Sequence, residues 1–254
     1  MIIVIAITGI VGSMVALFLR VPLDSYVAQD RRARLTDTAD TALRRMARDI
    51  RLALPNSVRV TSVGNVVYLE FLATRNGGRY RAQGGGDILD FTDAAGDSSF
   101  DILGPAIEMQ TDDFIAVYNL GIPDADAWAG ETLAAYIGVA GSVPTIAIAA
   151  KQFPLASPGN RFQVVEGPVT YVCDPNPGVG TLTRYWGYAL AVNQPTLPPA
   201  PASSALLATR VSACSFDYQP GVTERGGLVS MTLSLSLAGE TIRLHANTQV
   251  SNQP

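Results

Sequence analysis

The sequence predicts an α+β chain in which one long N-terminal helix packs on an antiparallel β-sheet head. Three observations carry this expectation. Residues 1–19 contain no charged side chain. Between Leu35 and Leu54, apolar residues recur every three or four positions among charged ones, the period of a helix with one buried face. Far downstream, LVSMTLSLSL (228–237) alternates aliphatic with hydroxyl residues, the period of a strand with one buried and one wet face.

At about 1.5 Å per residue, a helical run over 1–19 nearly crosses the roughly 30 Å hydrocarbon core of a bilayer. Residues 1–20 therefore read as a transmembrane half, or one that sits in a protein bundle. Ile3 and Ile5 are its candidate apolar contacts, and Gly9, Gly12 and Ser13 are small enough for close helix approach. Its apolar stretch is too long for a cleaved signal peptide, and no small-residue cleavage site precedes Arg20. Pro22 is expected to kink the helix without stopping it, since good helix formers follow. Residues 21–54 form an amphipathic half. Leu35, Leu43, Met46 and Ile50 are the stripe expected to dock on the head, while Arg32, Arg44 and Arg48 are expected to point away from it. Pro55-Asn56 marks the stop.

The head, 55–254, reads as β. Segments 58–60 and 65–73 are rich in β-branched and aromatic residues. Residues 79–83 are expected to pair back across Asn76-Gly77-Gly78, a hairpin signal. Gly84 to Gly86 form a loop, 88–91 and 100–103 bracket a polar turn, and 114–119 is a strand. Residues 121–160 read as irregular, with a short strand at 145–149 and a short helix at 125–128. Strands return at 161–165, 169–173 and 182–189. The Pro/Ala-rich 193–204 cannot be a central strand. Segments 206–218, 228–237 and 241–250 complete one antiparallel head without repeats.

Several stretches share a further resemblance. DTADTALRRMARDIRLALPNSVRV (37–60) is similar to the segment after the membrane half of MshO-type minor pilins, from the biogenesis set of the mannose-sensitive haemagglutinin (MSHA) type IV pilus. GPVTYVCD (167–174), TLTRYWGYAL (181–190), ALLATRVSACSFDY (205–218), RGGLVSMTLSLSL (225–237) and GETIRLHANTQVSNQP (239–254) resemble the same family, in the same order. DILDFTDAAGDSSFDILG (87–104) also fits the type. The resemblance implies a type IV pilin-like fold and a minor pilin that helps start or cap a filament near its tip, for attachment or motility. It implies a single-pass inner-membrane subunit with a periplasmic head, later part of an extracellular pilus of a Gram-negative bacterium. The implied partners are other major and minor pilins, the inner-membrane assembly platform, a prepilin peptidase, and the lipid bilayer before assembly. A J-type minor pseudopilin of a type II secretion system, and a tip adhesin binding a glycan or surface, are the alternatives.

The chain departs from the family at its start. Type IV prepilins carry a basic leader, a Gly cleavage point, Phe-Thr-Leu, an aliphatic residue and Glu; Met1 falls where the residue after that Glu belongs. The native gene is therefore expected to encode such a segment upstream. That leader would also supply the cytoplasmic positive charge, which the Arg residues beyond the apolar run place on the wrong side.

Charge divides along the chain. Residues 1–59 carry nine Arg against five Asp, whereas 60–254 carry nine basic and 17 acidic residues. An acidic head excludes a nucleic-acid surface. The basic stalk reads either as a solvated face with internal ion pairs or as a surface for acidic neighbours in an assembly.

In a periplasmic head the even pair Cys173 and Cys214 reads as a disulfide, with two buried free thiols as the alternative. Closing that loop would contribute roughly 4 kcal/mol in the chain-entropy model. Two Cys and one His without close spacing leave no zinc site. His245 sits on a strand pattern as a surface residue, no nucleophile elbow occurs, and Gly84 to Gly86 lack the Lys-Ser/Thr and helix of a phosphate loop. No enzyme or cofactor is expected. Asp87, Asp90, Asp93, Asp97 and Asp101 form the one acidic concentration, read as a solvated turn with a weak Ca²⁺ alternative. Trp128, Trp186 and Tyr188 could line a sugar site, or pack in the core.

Overall fold

The computed structural model describes residues 2–196, 200, 202–221 and 226–252, with backbone alone at 16–17 and 19–24. One helix, α1 (Ile2–Arg51), opens the chain and runs unbroken through Pro22. Arg48 and Arg51 occupy its last turn, where cations suit the helix dipole. The amides of Leu52 and Ala53 close a final turn on the carbonyls of Asp49 and Ile50, and Leu54 then bonds Leu72, so the helix end is tied directly to a strand.

Among the described residues fourteen strands follow: β1 (Arg59–Val63), β2 (Val66–Arg79), β3 (Asp97–Asp101), β4 (Ile107–Met109), β5 (Phe114–Ala116), β6 (Leu133–Ala135), β7 (Gly141–Val143), β8 (Thr145–Lys151), β9 (Arg161–Asp174), β10 (Thr181–Trp186), β11 (Ser203–Thr209), β12 (Val211–Gln219), β13 (Gly227–Leu237) and β14 (Glu240–Val250). The largest sheet has the order β1-β2-β9-β10-β11, with β5 pairing β9 and β6. A second sheet is β12-β13-β14, and β3-β8 and β4-β7 form two-stranded ribbons. The apolar stripe of the helix meets both larger sheets: Leu35, Ala39, Leu43, Met46 and Ile50 share one core with Phe71, Tyr171, Phe216, Met231 and Leu233.

Two further cores form under the loops. Tyr80, Phe100, Phe153 and Phe162 centre one, and Leu54, Leu72, Trp128 and Val165 belong to the other.

This architecture corrects the expected class. The chain is predominantly β, not the α+β pilin-like arrangement read from the sequence. Among the described residues fourteen strands pack mainly on one another, two of the three cores contain no residue of the helix, and residues 2–15 and 18 of the helix are exposed.

Two local expectations also change. No hairpin forms at Asn76-Gly77-Gly78; β2 continues to Arg79 and pairs Gly77 with Gln163 and Gly78 with Phe162 of β9. A Cβ on Gly77 would lie 2.7 Å from the Phe162 carbonyl oxygen, so this glycine serves close strand approach instead of a turn. Residues 125–128 form a turn, not a helix, because Asn119 Oδ1 accepts from the Ala127 amide and holds the loop on the sheet. The one tight hairpin of the second sheet lies at Ala238-Gly239, both at positive φ, which suits a two-residue loop.

Candidate functional site

The two halves of α1 meet opposite environments. Ile2, Ile3, Val4, Ile5, Ile7, Ile10, Val11, Met14, Val15 and Phe18 are all exposed. Nothing lies within 4 Å of a Cβ built on Gly9 or Gly12. The two hydroxyls of this stretch bond their own helix: Thr8 Oγ1 donates to the Val4 and Ile5 carbonyls, and Ser13 Oγ to Ile10. Hydroxyls satisfied in this way cost little in an apolar setting. The result is an apolar rod with no unsatisfied side-chain polar group among its described residues.

Among the described residues no helix is long and apolar enough to cross a membrane. The expected transmembrane anchor, and with it the expected single-pass inner-membrane placement, is corrected on this ground. Cys173 and Cys214 do form a disulfide, with Cα atoms 6.6 Å apart. The bond ties β9 to β12, hence one large sheet to the other, and fits an oxidising compartment.

Beyond Leu35 the helix becomes a docking element. Ala39, Met46 and Ile50 are fully buried and Leu35 and Leu43 nearly so. Each of the Leu, Met and Ile side chains contributes about 2 kcal/mol on removal from water. Polar contacts flank this stripe. Asp49 accepts from the Tyr171 hydroxyl at 2.7 Å and from Arg184 Nε at 2.8 Å. On the other flank, Arg32 pairs with Glu240 of β14, and Arg51 Nε donates to Thr248. The sequence reading points Arg32 away from the head; the side chain instead holds the head, because the helix runs along β14. Arg44 stays exposed and pairs with Asp40 one turn earlier; Arg48 is exposed as well.

Sequence reasoning missed a buried polar network. Glu70 lies in the centre of β2 with no exposed surface. Arg59, its register partner on β1, donates to one carboxylate oxygen at 2.7 Å, and the Tyr188 hydroxyl donates to the other at 2.7 Å. Thr170 bonds the same hydroxyl. The Arg59 guanidinium also stacks 3.5 Å over Trp128 and reaches the carbonyls of Ala191 and Val192. Burial first, then the Glu70 charge, pushes the Tyr188 hydroxyl well above its ordinary range. The available signal was the single Glu inside the apolar run VVYLEFL.

The candidate aromatics do not converge. Trp128 is buried, with Nε1 donating to the Ser57 carbonyl, and Trp186 stacks under Arg184. Tyr188 lines an open cleft of about 420 Å³ with Phe114, Tyr136, Asp113 and Glu166, but its hydroxyl is turned inward to Glu70. Among the described residues no group of three or more acidic, His or Cys side chains could hold a metal ion. The carboxylates serve the loop backbone instead. Asp101 accepts from the Asp87 amide and Thr145, Asp97 from the Asp90 amide, Asp90 from Thr92, and Asp93 from the Ala95 amide. These bonds hold the Asp90 and Asp101 carboxyls below the usual carboxylate range, through Thr92 and the Asp87 amide respectively. His245 is exposed beside Thr232.

No protein-family model, curated protein or solved structure matches the chain.

Proposed function

We propose that this chain is a minor subunit of an MSHA-like type IV pilus, entering the filament by packing the apolar half of α1 among the helices of its neighbours. One observation carries the reading: ten large aliphatic or aromatic side chains on the first eighteen residues are exposed, while the second half of the same helix is sewn onto the head. So much contiguous apolar surface is unfavourable in water and marks an interaction site. A bundle of like helices removes it from water, and the self-satisfied Thr8 and Ser13 need no external partner there. The disulfide supports a head built for life outside a reducing compartment. The resemblance of 37–60 and of the C-terminal third to MshO-type minor pilins supports the tip-proximal role.

The test is complementation of a strain whose piliation depends on this subunit. Ile10→Asp should abolish filaments seen by electron microscopy, yet leave the melting temperature of the purified chain within about 2 °C, since the site touches no head residue. Normal filament number and length with Ile10→Asp would overturn the proposal.

A further inference from the structure

We infer that the free edge of β14 is a docking site for an extended acidic segment of another protein, added as a fourth strand to the β12-β13-β14 sheet. Among the described residues β14 pairs only with β13. The parity of that pairing follows from the hairpin. Leu237 and Glu240 flank a two-residue loop and form its hydrogen-bonded pair, so Ile242, Leu244, Ala246, Thr248 and Val250 also turn their backbone groups toward β13. The Ser236 amide bonds Arg210 on the opposite side, as this parity requires. Thr241, Arg243, His245, Asn247 and Gln249 therefore direct their N–H and C=O groups away from the sheet. Such an edge is a template for another strand.

Most protective devices are missing from this edge, whose outward row carries Arg243 as its one charged side chain. Natural sheets blunt long edges with proline, lysine, a bulge or a covering segment. β14 is 11 residues long, contains no Pro or Lys, and keeps an unbroken register with β13 from Glu240 to Val250. The helix runs along β14, and Ile242, Leu244 and Ala246 remain only partly buried beside it. At the C-terminal end the edge opens into a groove of about 780 Å³ lined by Arg51, Leu228, Asn247 and Gln249.

The side chains specify the guest. The exposed row Thr241, Arg243, His245, Asn247 and Gln249 holds no carboxylate, and the nearby Glu240 is already paired with Arg32. Among the described residues neither Arg243 nor Arg51 forms an ion pair. The opposite row offers half-buried aliphatic side chains. A strand that alternates aliphatic residues with Asp or Glu matches both rows at once: apolar beside Ile242, Leu244 and Ala246, acidic beside Arg243. This inference does not depend on the role of the apolar rod, which is remote from β14 in sequence and uses a different surface.

The test uses the full chain in mild detergent with fluorescent synthetic peptides of about nine residues, the length of an ordinary strand. One alternates valine with glutamate, one valine with lysine, and one is the glutamate peptide N-methylated at alternate residues. The glutamate peptide should bind and slow amide exchange at residues 241, 243, 245, 247 and 249 by about tenfold or more, the N-methylated and lysine peptides should not, and Arg243→Glu should weaken binding by about tenfold. Asn247→Pro, which removes an outward N–H and spares the β13 ladder, should abolish it. Absence of binding, or equal binding of glutamate and lysine peptides, would sink the proposal. So would amides already protected without peptide and released on dilution, the mark of a second copy on the edge. If Asn247→Pro does not fold, Arg243→Glu and the N-methylated peptide still decide.

Discussion

The Tyr171 hydroxyl and Arg184 Nε converge on one oxygen of Asp49, at 2.7 and 2.8 Å. A carboxylate on the helix is thus held by two neighbouring strands of the large sheet, and the contact fixes both the rotation and the height of α1 on the head. Burial, and then the Asp49 carboxylate, push the Tyr171 hydroxyl above its ordinary range, which keeps it a donor.

Replacing Asp49 by Ala should therefore cost about 1–3 kcal/mol, because Tyr171 and Arg184 lose their shared acceptor at a largely buried site. Urea denaturation of the purified chain gives the value. A midpoint unchanged from wild type would show that the seam is held by the apolar stripe alone.

The faces of the helix should separate in mutagenesis. Met46 has no exposed surface, and Met46→Ala should cost about 2–5 kcal/mol. Met46→Asp should prevent folding or cost more, because it buries a charge without a partner. Arg44 stands in solvent with only Asp40 as partner, so Arg44→Glu should leave the melting temperature within about 2 °C. Thermal unfolding followed by circular dichroism distinguishes the two. Equal destabilisation by Arg44→Glu and Met46→Ala would mean the face assignment is wrong.

Arg59→Ala should be among the most damaging single changes in the head. It leaves Glu70 charged, fully buried and facing only the Tyr188 hydroxyl, and should cost about 3–5 kcal/mol. Adding Glu70→Leu to Arg59→Ala should recover part of that loss, since the unpaired charge is gone. A double variant less stable than Arg59→Ala would show that Glu70 is held mainly by the Tyr188 hydroxyl.

Alkaline pH should destabilise the fold. Tyr80, Tyr171, Tyr188 and Tyr218 are all raised above the ordinary tyrosine value, chiefly by burial. The fold holds the protonated phenols. Their contribution is fully present below about pH 10 and is lost as pH rises through the folded values, because the unfolded chain releases protons that the folded chain keeps. Urea midpoints should fall between about pH 10 and 12, and ultraviolet titration should show these phenols ionising only on unfolding. Midpoints that stay level over that window, with all phenols titrating near pH 10, would contradict the burial seen here.

By itself the sequence determined the local features whose causes are local. The 3.6-residue recurrence of Leu35, Leu43, Met46 and Ile50 decides which side of a helix must be buried, whatever it is buried against. The alternation in 228–237 decides which rows of β13 face inward. The even cysteine pair, in segments of strand character, pointed to the bond that joins Cys173 and Cys214. These readings hold because a period constrains every conformation the segment can adopt.

Only the tertiary structure decided what meets what. Arg32 looks solvent-facing on a helical wheel, yet it finds Glu240, about two hundred residues away, because α1 lies along β14. Gly77 reads as a turn residue, and becomes the point where β2 passes close to the Phe162 carbonyl. Glu70 reads as an anomaly in a strand and proves to be the anchor for Arg59 and Tyr188. The balance of the fold belongs to the same class of question. A long helix and many strands were both visible, but that the strands would pack chiefly on each other, and leave residues 2–15 of the helix bare, depends on strand order and register. Those are set by long-range pairings whose energy no local window contains.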